Sequence, residues 1–124
     1  MGKIATHKDL RVFQNSFKVS MEIYVLTKSF PKEETYSLTD QIRRSTRSVC
    51  SNLAEAFRKR RYPKAFVSKL SDCEGEAAES QVWLDFALEC GYLNREKHEQ
   101  LYKEYDMILG MLVKMIVEPE KWSL

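Results

Sequence analysis

Between Arg43 and Lys69 the chain carries nine basic side chains, Arg43, Arg44, Arg47, Arg58, Lys59, Arg60, Arg61, Lys64 and Lys69, against one acid, Glu55. Six of the nine are arginines, whose planar guanidinium fork matches paired phosphate oxygens. The chemistry on offer is therefore binding of a polyanion backbone rather than bond making. From Asp72 to Glu120 the balance reverses, with twelve acids against four bases, so the net charge of +2 is a cancellation of two opposed segments. On a helical wheel at roughly 100° per residue, Arg43, Arg47 and Arg58 fall opposite the apolar face, with Arg44 slightly to the side. Arg60, Arg61 and Lys64 would extend that stripe. Three readings of the charge run stay open: a polyanion site, an intersubunit surface pairing with Asp72, Glu74, Glu76 and Glu79, or a solvated helix face.

Residues suited to catalysis are sparse. His7 and His98 are the two histidines, and neither belongs to a Glu-x-x-His pair of the di-iron bundle type. Neither follows an arginine by four to six residues, the spacing used by some small helical ribonucleases. Gly2, Gly75, Gly91 and Gly110 stand alone, which excludes a glycine-rich phosphate loop. Cys50, Cys73 and Cys90 match neither a disulfide framework nor a zinc pattern and read as reduced thiols. No enzyme activity, metal or cofactor is expected. Asn52 and Glu55 lie at the edge of an apolar helix face, where a polar pair suits a structural bond to a neighbouring helix.

The elements that must position these residues are helices. The length of 124 residues suits one domain spanning 1–124, and 44% apolar with 31% charged composition and few glycines and prolines suits a folded helical one. Periodicity and breakers predict helices over about 8–29, 38–60, 63–90 and 95–117, an all-α antiparallel up-down-up-down four-helix bundle. Thr6 with Asp9 forms a capping box, Ser37 and Asn94 are N-caps, Pro63 opens the third helix and Gly91 closes it. In the first helix Leu10, Phe13, Phe17, Met21 and Tyr24 read as the core stripe. Core positions elsewhere are Leu38, Ile42, Val49, Leu53 and Ala56; Phe66, Leu70, Cys73, Ala77, Leu84 and Leu88; and Leu101, Tyr105, Ile108, Leu112, Met115 and Ile116. Val12, Val19 and Ile23, with Val82, Trp83 and Phe86, fall outside these stripes and point to self-association. With no apolar leader and no long apolar run, the chain is expected to be cytoplasmic.

Several segments together resemble one bacterial family: His7-Lys8-Asp9-Leu10, Phe30-Pro31-Lys32-Glu33-Glu34-Thr35-Tyr36-Ser37-Leu38, Gln41-Ile42-Arg43-Arg44-Ser45, Ser48-Val49-Cys50-Ser51-Asn52-Leu53-Ala54-Glu55-Ala56 and Ala87-Leu88-Glu89-Cys90-Gly91-Tyr92. The chain is similar to the four-helix bundles of the 23S rRNA intervening-sequence, or S23, family. The resemblance implies a non-enzymatic bundle that assembles into a homopentamer. Similar bundles accompany the reverse transcriptases of retroelements and bind nucleic acid, RNA or DNA, on a basic ring surface. Arg43, Arg44 and Arg58 match the family's basic positions, and Asn52 and Glu55 its Asn-x-Ala-Glu core, while Ala56 and Glu76 depart from its pattern. The expected activity is binding of nucleic-acid backbone; the alternative is a scaffold whose basic stripe contacts other subunits or a partner protein.

Overall fold

In the computed structural model, which describes residues 4–122, four helices pack as an antiparallel up-down-up-down bundle: α1 Arg11–Thr27, α2 Leu38–Arg58, α3 Pro63–Glu89 and α4 Arg95–Val117. Each pairs with its neighbour in sequence, and α1 closes the ring against α4. No strand occurs among the described residues.

Local chemistry sets each boundary. Thr6 and Asp9 do form a capping box, but around a separate 3-10 turn, His7–Asp9. The Asp9 carboxylate accepts from the amides of Ala5 at 2.8 Å and Thr6 at 2.9 Å. Leu10 is extended, so α1 begins only at Arg11. At the start of α2, Ser37 is the N-cap residue but its hydroxyl does not cap; it donates to Glu34 at 2.5 Å, and the Glu34 carboxylate accepts the Leu38 amide at 3.2 Å instead. Pro63 occupies the first turn of α3, where its missing N–H costs nothing. Gly91 ends α3 at φ +80°. Its own amide donates to the Leu88 carbonyl at 3.0 Å and the Tyr92 amide to Ala87 at 2.9 Å, the paired bonds of a Schellman cap. Asn94 Oδ1 accepts the Lys97 amide at 2.7 Å to open α4.

The core stripes of α2, α3 and α4 bury as their spacing predicts, except that Leu88 and Ile116 are only half-buried. In α1 the phase differs. The buried residues are Val12, Ser16, Val19, Ser20, Ile23 and Thr27, whereas Phe17 is 54% and Met21 46% exposed. Hydrophobicity alone favoured the aromatic stripe because the true inner stripe is interrupted by hydroxyl residues. Burying that side keeps Val19 and Ile23 dry. Val12, Val19 and Ile23, assigned to self-association, are thus core, whereas Val82 and Phe86 are exposed on α3.

Polar bonds hold the helices in register. The Ser45 and Ser80 hydroxyls meet at 2.8 Å inside the α2–α3 seam. Gln81 donates to Asp106 Oδ1 at 2.8 Å between α3 and α4, and Lys97 to Glu22 Oε2 at 2.7 Å between α4 and α1. The Tyr105 hydroxyl is buried without a hydrogen-bond partner among the described residues. Burial drives the Cys50 thiol up to about 11 and the Cys73 thiol up to about 12, which keeps both protonated and unreactive near neutral pH.

Glu34 also ties the two connections at one end of the bundle together, since Tyr92 Oη donates to Glu34 Oε2 at 2.9 Å. Its bonds from Ser37, Tyr92 and the Leu38 amide hold the Glu34 carboxyl below its ordinary value, and that same Tyr92 bond pushes the phenol up to about 12. A depressed carboxylate stabilises the fold above its unfolded value near 4.5 and loses that contribution as pH falls through the folded one. The raised phenol contributes below 10 and loses its contribution as pH climbs from 10 to about 12. Urea midpoints across pH should therefore decline at both extremes. Glu34→Gln should flatten both limbs, and unchanged limbs would show that this pair does not couple to folding.

Candidate nucleic-acid interface

The basic residues do not form one continuous stripe. Arg43 turns toward α1, where its Nε donates to Thr27 Oγ1 at 2.9 Å and its guanidinium lies 4.7 Å from the Tyr24 ring centre. Arg47 sits 5.6 Å and Lys28 5.0 Å from the same ring. Three cations therefore surround one phenol. Arg43 is half-buried and spends its planar face as an α1–α2 staple, while Arg44 leans to the other flank of α2, where its charge is felt by Glu76 of α3. The wheel missed this division because neighbouring helices, absent from a wheel, decide which way a long side chain bends.

Asn52 and Glu55 act between α2 and α3. Lys69 Nζ donates to Asn52 Oδ1 at 3.1 Å and to Glu55 Oε2 at 3.5 Å, with Asp72 Oδ2 at 3.8 Å. Lys69 is thus neutralised locally and leaves the free basic surface. The acidic run is crowded on its own account, because partial burial and then the Glu79 carboxylate raise Glu76 above its ordinary value.

The remaining cations converge on the reversal between α2 and α3. Lys59 donates its amide to Ala56 and Tyr62 donates its amide to Lys59, each at 2.9 Å, so the chain turns back within four residues. From Ala56 to Ser71 there is no acid in the sequence. Arg58, Lys59, Arg61 and Lys64 are exposed, and among the described residues neither they nor Arg60 take part in an ion pair. Arg60 is the ordered member: its Nε donates to the Phe57 carbonyl at 2.9 Å and its guanidinium stacks 3.6 Å from the Phe57 ring centre. Loss of water, and then the nearby Arg58 charge, lower its pKa. Phe57, Arg58, Arg60, Arg61 and Tyr62 line an open cavity of about 330 Å³.

Antiparallel topology adds residues that segment-by-segment reading did not group with these. The start of α1 lies at the same end as the close of α2, so Lys8 and Arg11 join that end of the bundle. Lys64 borders a second groove, about 600 Å³, whose far wall is Pro119 in the turn after α4. Their distance in sequence hid this grouping.

The histidines are engaged elsewhere. His98 Nε2 meets Asp85 Oδ1 at 2.7 Å across α3 and α4, and His7 packs edge-on to Phe13 at 4.7 Å. Among the described residues no group of three or more His, Cys, Asp or Glu side chains is placed to hold a metal ion, and no helix is long and apolar enough to cross a membrane.

The chain matches no curated protein sequence. A crystal structure of a protein of unknown function from the S23 ribosomal protein family, from Bacteroides thetaiotaomicron, is similar to it with a TM-score of 0.77 and 27% identity, covering 86% of this chain and 95% of that one. The model of the 23S rRNA-intervening sequence proteins matches residues 8–114, nearly the whole bundle with its basic turn. By that match the chain belongs to the 23S rRNA-intervening sequence protein family.

Proposed function

We propose that this protein is a non-enzymatic, self-associating bundle that binds nucleic acid by its phosphate backbone at the α2–α3 end. The observation that carries this reading is the cluster Arg58, Lys59, Arg60, Arg61 and Lys64 around one tight turn, with no ion pair among the described residues. Five like charges held this close repel one another, and a polyanion relieves that repulsion while releasing its own condensed counter-ions. Arg44 and Arg47 are exposed on α2 but stand apart from the turn, Arg44 toward Glu76 of α3 and Arg47 over Tyr24. Arg43 instead holds α2 against α1 through Thr27 and Tyr24.

Self-association draws on a different face. Phe17, Met21 and the 61%-exposed Val25 run along the outside of α1, and Phe17 and Met21, with Phe13, Tyr24, Arg47, Cys50 and Ala54, border a mostly apolar groove of about 330 Å³ between α1 and α2. An apolar ridge of this kind on a small bundle favours burial against another protein surface.

Titration of labelled RNA and DNA oligonucleotides across a salt series tests the binding. Saturable binding near about 50 mM salt is expected, with a steep negative slope of log affinity against log salt. No saturable binding there, or an affinity indifferent to salt, refutes the reading.

A further inference from the structure

We infer that the α2–α3 turn is an anchor for single-stranded nucleic acid, in which an unpaired base stacks on the Tyr62 ring while Arg58 and Arg61 hold the adjoining phosphates. The inference rests on the nucleic-acid reading above and adds the form of the ligand.

Two aromatic rings follow the cations in sequence, and the fold separates their roles. Phe66 is buried at 1% exposure, whereas Tyr62 is 61% exposed at the rim of the cavity formed with Phe57 and the three arginines. The Tyr62 backbone is firmly held. Its amide donates to Lys59, its carbonyl accepts the Phe66 amide at 2.9 Å, and Pro63 follows it directly. A fixed backbone removes the backbone share of the ordering cost on stacking, and a tyrosine ring has only two χ angles left to order.

The cavity floor is equally set. Phe57 is buried, and Arg60 lies flat on it with Nε committed to the Phe57 carbonyl, so Arg60 forms a rigid cationic wall. Arg58 and Arg61 stay exposed and uncommitted among the described residues. At about 330 Å³ the space is near the lower end of ligand pockets and open to solvent, which suits one base with its backbone continuing outward.

A duplex fits this site poorly. Its bases are already stacked on one another, so apart from its ends it offers no free base face to the Tyr62 ring. An exposed phenol ringed by guanidiniums instead matches a stacking platform with an electrostatic rim, which accepts any unpaired base because every base has a π-face.

Fluorescence anisotropy with a labelled single strand, a blunt duplex of equal length, and polyglutamate as competitor provides the test. The single strand should bind more tightly than the duplex. Tyr62→Ala should weaken it roughly 5- to 150-fold, the range for loss of one base–aromatic stack, while leaving the salt slope unchanged because no phosphate contact is lost. Tyr62→Phe should retain affinity, and Tyr62→Trp should place an indole on the platform whose emission is quenched by the strand beyond the Trp83 and Trp122 background. Circular dichroism should be unaltered in all three, since the ring lies outside the core. Duplex binding as tight as the single strand's, with Tyr62→Ala silent, overturns the anchor and leaves the nucleic-acid reading standing. Competition by polyglutamate at equal charge overturns the anchor in favour of a general polyanion patch. Absence of saturable binding to either oligonucleotide overturns both.

Discussion

A protein with Arg58, Arg61 and Lys64 all replaced by alanine is expected to lose nucleic-acid affinity by roughly 100-fold or more, as three charge-assisted contacts to phosphate disappear. Its salt slope should fall by about 2 for a single strand, since each phosphate contact contributes about 0.7. The fold should not suffer. None of the three is in an ion pair among the described residues, and removing Arg58 takes a like charge away from Arg60. The urea midpoint should therefore stay level or rise, and light scattering should give the parent's assembled mass. Arg43 and Arg60 are kept in this variant because Arg43 bonds Thr27 and Arg60 stacks on Phe57, so truncating them would confound binding with packing. A variant that binds as the parent does would remove the turn from the interface. One that falls apart into monomers would instead support the scaffold reading, with the basic turn pairing subunits against the acidic ridge of α3.

Phe66→Ala is the substitution with the largest expected effect on stability, about 3–5 kcal/mol. The ring is 1% exposed one turn into α3, and its removal leaves a cavity where α3 packs on its neighbours just below the basic reversal. Against the 5–15 kcal/mol typical of a domain, this loss takes much of the margin. Chemical denaturation should show a large drop in midpoint with little change in slope. Nucleic-acid affinity measured at low temperature, where the variant remains folded, should fall less than in the triple alanine protein, because the exposed cations persist. A loss under about 1 kcal/mol would place Phe66 outside the tightly packed core.

Much of the bundle was legible in the sequence because its signals are local. The Pro63 start, the Gly91 stop and the Asn94 cap depend on residues within one turn of themselves, and the apolar rows of α2 and α4 are regular enough to fix their inward face. α1 was harder to read. Its inward row carries Ser16, Ser20 and Thr27, so a reading by hydrophobicity chose a row in which Leu10 is buried and Phe13 packs on the core but Phe17 and Met21 face outward. The Ser37 cap differed for a related reason: a carboxylate three residues earlier, Glu34, was free to reach the Leu38 amide and attract the serine hydroxyl.

The site divides along the same line. Sequence by itself determined that a cationic segment of arginine-rich character sits between two helices, that no acid interrupts it from Ala56 to Ser71, and that an acidic segment follows. Charge and spacing are properties of the chain and survive any fold. Tertiary structure alone decided which charges remain free. It turned Arg43 onto Tyr24, neutralised Lys69 between Asn52, Glu55 and Asp72, and left Tyr62 exposed among arginines that have no ion pair among the described residues. The physical reason is that a long side chain's partner is set by whichever helix packs beside it, and packing is a relation between segments far apart in sequence.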